Sequence, residues 1–164
     1  MRRSAFGRGE FSERILSYTA PRELHLIDPW LFQPQYPRRM YGGRVAGDQQ
    51  VMDRIYENVA GRLGSLDNVT VHRTRSAHAL PLFDDGYFDW VYIDGDHSFQ
   101  TVLADLQLCM AKVKPGGIIA GDDFTWGPDE GYPVQRAVTE FVQRHGLTGN
   151  LNRLGSQFVI QTEP

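Results

Sequence analysis

Two short apolar runs, Trp90-Val91-Tyr92-Ile93 and Ile118-Ile119-Ala120, are separated by a stretch with helical spacing, and each runs directly into acids. A run that is apolar at every position suits a strand buried on both faces, and two such strands joined by a helix-length segment imply a parallel crossover. This confines the chain to the α/β class, with helices laid over a mostly parallel sheet. Ser98 through Val113 supplies the crossover, its residues Val102, Leu103, Leu106, Cys109, Met110 and Val113 falling on one helical face. Lys114-Pro115-Gly116-Gly117 has the turn chemistry that ends such a helix before the second run begins.

The same alternation extends along the chain. Phe11, Ile15 and Leu16 share a helical face, Leu24 to Ile27 form a strand, and Pro29 stops that strand with Asp28 at its carboxyl end. Residues 31–47 hold Pro34, Pro37 and three glycines among aromatic and arginine residues, the composition of a lid loop. From Asp48, a suitable N-cap, Val51, Met52, Ile55, Val59 and Leu63 mark a one-faced helix. Val69 to Arg73 is a β-branched strand, and residues 77–80 are a helix or turn. Val134 to His145 is a helix stopped by Gly146, and Gln157 to Gln161 is a last strand. A length of 164 residues suits one domain spanning 1–164.

Charge and composition narrow the partners. With 17 Lys and Arg against 20 Asp and Glu, the net charge of −3 supplies no basic field for nucleic acid. No apolar run approaches a membrane span, and Met1 to Phe6 lacks a signal peptide's apolar region, so a soluble cytoplasmic protein with no membrane partner is expected. Cys109 stands alone, which argues against a disulfide framework and suits a small buried hydrophobe.

The acids carry the chemistry. In an open parallel sheet ligands collect at the carboxyl ends of the strands, so Asp94-Gly95-Asp96-His97 and Gly121-Asp122-Asp123 bring several carboxylates to one place. Like charges so arranged invite a cation or a proton between them, and a divalent metal fits. The same residues also suit plain local roles: Asp122 and Asp123 can begin a turn, and Asp96 or Ser98 can cap the following helix. His25, His72, His78 and His145 do not follow strands beside acids and are expected to be structural. Trp30, Tyr41, Trp126 and Tyr132 could wall an acceptor pocket or simply pack their loops.

The motifs Gly-Arg-Gly-Glu-Phe-Ser (7–12), Leu-Ile-Asp-Pro-Trp (26–30), Tyr-Ile-Asp-Gly-Asp-His-Ser (92–98), Lys-Pro-Gly-Gly (114–117) and Gly-Asp-Asp-Phe (121–124) come in an order that resembles the class I S-adenosylmethionine-dependent methyltransferases. More narrowly the chain is similar to magnesium-dependent small-molecule and sugar O-methyltransferases. The resemblance implies a Rossmann-like, doubly wound sheet with an antiparallel last strand, and transfer of a methyl group to a small-molecule hydroxyl, a sugar or glycosylated metabolite foremost. It implies S-adenosylmethionine at Gly7, Gly9, Asp28, Ser76 and Asp94, and Mg²⁺ at Asp94, Asp122 and Asp123. His97 or Asp96 is the general base, with the choice left open. A homo-oligomer is compatible with it. One departure stands at the start: relatives place an apolar strand ending in an acid and a glycine before the glycine loop, whereas here Arg3 and Ala5 hold those places. An abbreviated first strand is therefore expected, and with it an alternative function as a non-catalytic binding or oligomerisation module.

Overall fold

A computed structural model describes residues 9–37, 39–43 and 45–163. The chain divides between Arg75 and Ser76 into two compact units. Gly7 and the expected first strand, Met1 to Phe6, lie outside the described residues.

The first unit contains α1 (Glu10–Thr19), β1 (Leu24–Asp28), α2 (Gln49–Leu63) and β2 (Val69–Arg73). Gly9 caps α1 at φ 83°, a left-handed conformation that glycine adopts without strain. Helix α2 begins where the sequence indicates, with the Asp48 carboxylate accepting the Val51 N–H at 2.9 Å. Its buried stripe is Met52, Ile55, Val59 and Leu63, recurring at three to four residues as one helical face requires. β1 and β2 pair in parallel from Leu24 opposite Val69 to Asp28 opposite Arg73. The loop between β1 and α2 is folded on itself. Gln49 ties it down, accepting the Phe32 N–H at 2.9 Å and donating to the Trp30 carbonyl at 3.0 Å. Trp30 is buried with its ring 5.2 Å from that of Tyr56, so it packs the loop.

The second unit contains α3 (Ser76–Ala79), β3 (Phe88–Ile93), α4 (Phe99–Lys112), β4 (Val113–Gly121), α5 (Pro133–Arg144), β5 (Leu151–Leu154) and β6 (Gln157–Gln161). The sheet order is β3-β4-β6-β5. β3 and β4 are parallel, as the crossover demands, and β6 runs antiparallel to both β4 and β5. The core is closed by Val134, Ala137, Val138, Phe141 and Val142 of α5, Leu106 and Cys109 of α4, Ile119 of β4, and Phe158 and Ile160 of β6. The valine, leucine, isoleucine and phenylalanine side chains among these contribute roughly 1.5–3 kcal/mol each when fully buried. Cys109 is the buried small hydrophobe expected, its thiol pushed up to about 12 by burial first and by Asp105 second.

One sequence expectation is corrected, and one strand is added. Lys114-Pro115-Gly116-Gly117 is not a turn that ends the helix but part of β4, which starts at Val113. The ladder shifts register between Phe88 and Trp90, and a Cβ on Gly117 would lie 2.7 Å from the Asp89 carbonyl oxygen. Glycine there lets β4 run against β3 through an irregularity that a side chain would block. Leu151–Leu154, a run too short to show a period, is the edge strand β5, formed because it hairpins onto β6. Among the described residues no helix is long and apolar enough to cross a membrane.

Candidate active site at the strand ends

The register of β3 and β4 places Ile93 beside Gly121, so Asp94 and Asp122 leave neighbouring strands at the same level. The Asp122 N–H continues the ladder by donating to the Ile93 carbonyl at 3.2 Å. Gly121 is required at this point. A Cβ there would lie 2.5 Å from both the Ile93 carbonyl oxygen and the Phe158 ring, so only glycine lets β3, β4 and β6 converge beneath the acids.

Each acid then has a distinct environment. Asp122 Oδ1 accepts from the Asp123 N–H at 2.8 Å and from Ser156 Oγ at 2.7 Å. Asp123 is held at φ 61°, a left-handed conformation uncommon outside glycine, and its carboxylate Oδ2 lies 3.2 Å from His97 Nε2. Burial raises the Asp123 pKa, an effect opposed by His97 and reinforced by Asp122. The His97 ring lies 5.0 Å from that of Trp126, tilted by 46°. Asp96 Oδ1 accepts the Ser98 N–H at 2.8 Å, and Ser98 caps α4 through Thr101. Asp96 thus serves the start of the helix, while His97 faces the acids.

Tyr92 was read above only as a strand residue, yet its hydroxyl belongs to this group. Burial, and then the charges of Asp122 and Asp94, push its pKa upward, while donation from Gln157 Nε2 at 2.7 Å opposes them. Ser156 reaches Asp122 from the turn between β5 and β6, and Gln157, the first residue of β6, reaches Tyr92. Only the pairing of β6 with β4 brings them there, so local sequence carries no signal for them.

Asp94, Asp122 and Asp123 offer oxygen donors of the kind magnesium takes. Their side chains nevertheless do not converge. Among the described residues no three His, Cys, Asp or Glu side chains form a group that could hold a metal ion. The reason is visible in the bonds above, which turn Asp122 toward Ser156 and Asp123 toward His97. The expected magnesium set does not fit as placed.

The cofactor candidates fall in both units. In the first, Asp28 ends β1, its Oδ1 accepting the Trp30 N–H at 2.6 Å across an Asx-type turn. Burial raises its pKa to about 6 against the lowering effect of that bond. In the second, Ser76 opens α3 and donates from Oγ to Asp105 Oδ1 at 2.6 Å. Asp105 was not singled out in the sequence, being one polar residue on the crossover helix. Burial raises its pKa, with the Ser76 bond opposing and Asp96 adding to the rise. His25 and His72 face one another across β1 and β2, with a 3.0 Å contact between Nδ1 and Nε2. Of the four candidate pocket aromatics, Trp126 sets its ring against that of His97, and Tyr132 is exposed.

No curated protein matches the sequence. Among solved structures, the O-methyltransferase NovP superposes with a TM-score of 0.64 at 18% identity, over 92% of this chain and 64% of its own. The O-methyltransferase TomG from Streptomyces achromogenes, in complex with SAM, gives 0.53 at 15% identity, over 99% and 82%. Cofactor-bound Rv0187 from MTB gives 0.53 at 20% identity, over 100% and 83%. At these identities the likeness establishes the shared fold. Residues 8–124 match a family described as a methyltransferase domain, which covers most of the chain. The chain belongs to that family and is a class I S-adenosylmethionine-dependent methyltransferase.

Proposed function

We propose that this chain methylates a hydroxyl of a small molecule, a sugar or glycosylated metabolite foremost, with His97 as the group that takes the hydroxyl proton. The observation that carries this reading is the 3.2 Å contact between His97 Nε2 and Asp123 Oδ2 at the carboxyl ends of β3 and β4. Methyl transfer from a sulfonium is an in-line displacement, and the attacking oxygen must lose its proton as the bond forms. An imidazole has an ordinary pKa of about 6.5, which suits that task near neutrality, and an adjacent carboxylate fixes its orientation and favours the imidazolium that results. Asp96 is the weaker candidate, because its Oδ1 is engaged at the start of α4.

S-adenosylmethionine supplies the methyl group as an electrophile. Toward it, Asp28 is read as the acceptor for the ribose hydroxyls, and hydrogen bonds to an ionised carboxylate are the stronger kind. Ser76 is read as meeting the adenine, and Asp94 as a further cofactor contact. The O-methyltransferase names of NovP and TomG support a hydroxyl as acceptor. Magnesium assistance belongs to this reading through the residue types at Asp94, Asp122 and Asp123, and the lack of convergence among them counts against it.

The test is transfer of labelled methyl from S-adenosylmethionine to a panel of hydroxylated acceptors spanning free sugars, glycosides and phenols. Parallel arms contain Mg²⁺ or EDTA. Label on a sugar or glycoside oxygen supports the reading, and label only on nitrogen or carbon acceptors rejects it. Equal rates in the two arms remove magnesium from it.

A further inference from the structure

A serine hydroxyl has one proton to donate and two lone pairs with which to accept. At Ser76 that proton is committed to Asp105 Oδ1, 2.6 Å away and partly buried. Asp105 belongs to the crossover helix and lies under the loop that follows β3, where a Cβ added to Gly95 would stand 4.0 Å from its other oxygen, Oδ2. Asp96 is near enough to act on Asp105 electrostatically. Both of these neighbours accept hydrogen bonds when ionised. With its proton given to Asp105, Ser76 Oγ can meet a ligand only as an acceptor, so the ligand edge that reaches it must bring a hydrogen-bond donor.

The two purines that could occupy such a place differ on this point. Adenine carries a 6-amino group that donates, whereas hypoxanthine carries a 6-oxo group whose lone pairs would face those of Ser76. We propose that Asp105 is a positioning residue that holds the Ser76 hydroxyl as an acceptor and so selects a 6-aminopurine cofactor over its 6-oxo counterpart. The proposal rests on the reading above that Ser76 meets the adenine. The single donor is spent inside the protein, and discrimination follows from what remains.

The experiment is calorimetric titration at pH 8 with S-adenosylhomocysteine and with S-inosylhomocysteine. The ratio of their affinities is compared across wild type, Ser76→Ala, Asp105→Leu and Asp105→Asn. Opposed acceptors lose a hydrogen bond and leave polar groups unsatisfied, so wild type favours the adenosyl compound by on the order of tenfold or more. In Asp105→Leu the hydroxyl is released to turn and donate, and the ratio falls toward one. Asp105→Asn keeps it, because the amide oxygen still accepts from Ser76. A generally structural role for Asp105 would weaken both compounds alike and leave the ratio untouched. Should the leucine variant not fold, Asp105→Ala carries the same measurement. The proposal is overturned if loss of the Asp105 side chain preserves the ratio while Ser76→Ala abolishes it. If Ser76→Ala also preserves the ratio, the adenine reading of Ser76 fails and the proposal with it. A wild type that binds neither compound rejects cofactor use altogether.

Discussion

Asp28→Asn separates what the first unit needs for stability from what it needs for function. Burial raises the Asp28 pKa from 3.8 to about 6, which means that the folded state binds the proton more tightly than the unfolded state does. A carboxylate shifted in that direction destabilises the fold when ionised. Stability falls as pH rises through the window from about 4 to about 6 and is level above it. Two pKa units at about 1.36 kcal/mol each give a penalty of about 3 kcal/mol at pH 8, against about 1 kcal/mol at pH 4.5. Asparagine removes the charge while its Oδ1 still accepts the Trp30 N–H that Asp28 accepts at 2.6 Å. The variant is therefore expected to gain about 2–3 kcal/mol at pH 8, the lower figure allowing for the partial exposure of the site, and much less at pH 4.5. Urea unfolding at several pH values, followed by tryptophan fluorescence, measures the gain, with Trp30 buried two residues away as a local reporter. The same substitution should weaken S-adenosylhomocysteine by about tenfold or more, since a charge-assisted acceptor is lost. In wild type that affinity should itself decline as pH falls below about 6, where Asp28 takes up a proton. A variant no more stable than wild type at pH 8, or with an unchanged pH dependence, would refute the burial argument. Unchanged affinity would refute the role at the ribose.

Other perturbations test the remaining geometry. His25 has its pKa lowered by burial and then by His72, so its neutral form is favoured in the fold and stability is lost as pH drops below about 6.5, where the unfolded chain takes up the proton. His25→Gln should flatten that slope in urea titrations, and an unaltered slope would exclude this histidine as its source. Gly121→Ala drives a Cβ into the Ile93 carbonyl and the Phe158 ring, at a cost of about 3 kcal/mol or more, read as a lowered thermal midpoint. A midpoint within a degree of wild type would show that the strand ends can spread. Asp123→Asn removes the charge beside His97, and methyl transfer should fall by about tenfold or more while S-adenosylhomocysteine binding stays the same. Loss of binding instead of turnover would move Asp123 from proton transfer to the cofactor.

The sequence marked the carboxyl ends of β1, β3 and β4 correctly, because a buried strand and the acid after it are adjacent in the chain. It also marked the cap of α2, since Asp48 and the Val51 N–H it accepts are three residues apart. Lys114 to Gly117 misled for a related reason. Proline and two glycines are turn-formers locally, and here they form the irregular stretch of β4 between its pairs with β3 at Val113 and Ile118, where the Gly116 N–H donates to the Glu163 carbonyl and the Gly117 carbonyl accepts from the Thr162 N–H. The four residues of β5, two leucines around Asn152 and Arg153, are too few to show a period, and their conformation comes from the hairpin with β6.

What the sequence determined by itself was the alternation of elements, the α/β class and the residue types at the strand ends, all of them properties of neighbours in the chain. The tertiary structure decided how those residues are used. It directs Asp123 to His97, draws Asp122 to Ser156, brings Gln157 to Tyr92 and commits the Ser76 proton to Asp105. Two of these contacts join residues roughly 30 positions apart, Gln157 and Tyr92 are 65 apart, and even His97 and Asp123 meet across a whole helix. A carboxylate's chemistry depends on which donor its oxygens face, and that is set by strand register and helix packing, which are not written at the carboxylate's own position.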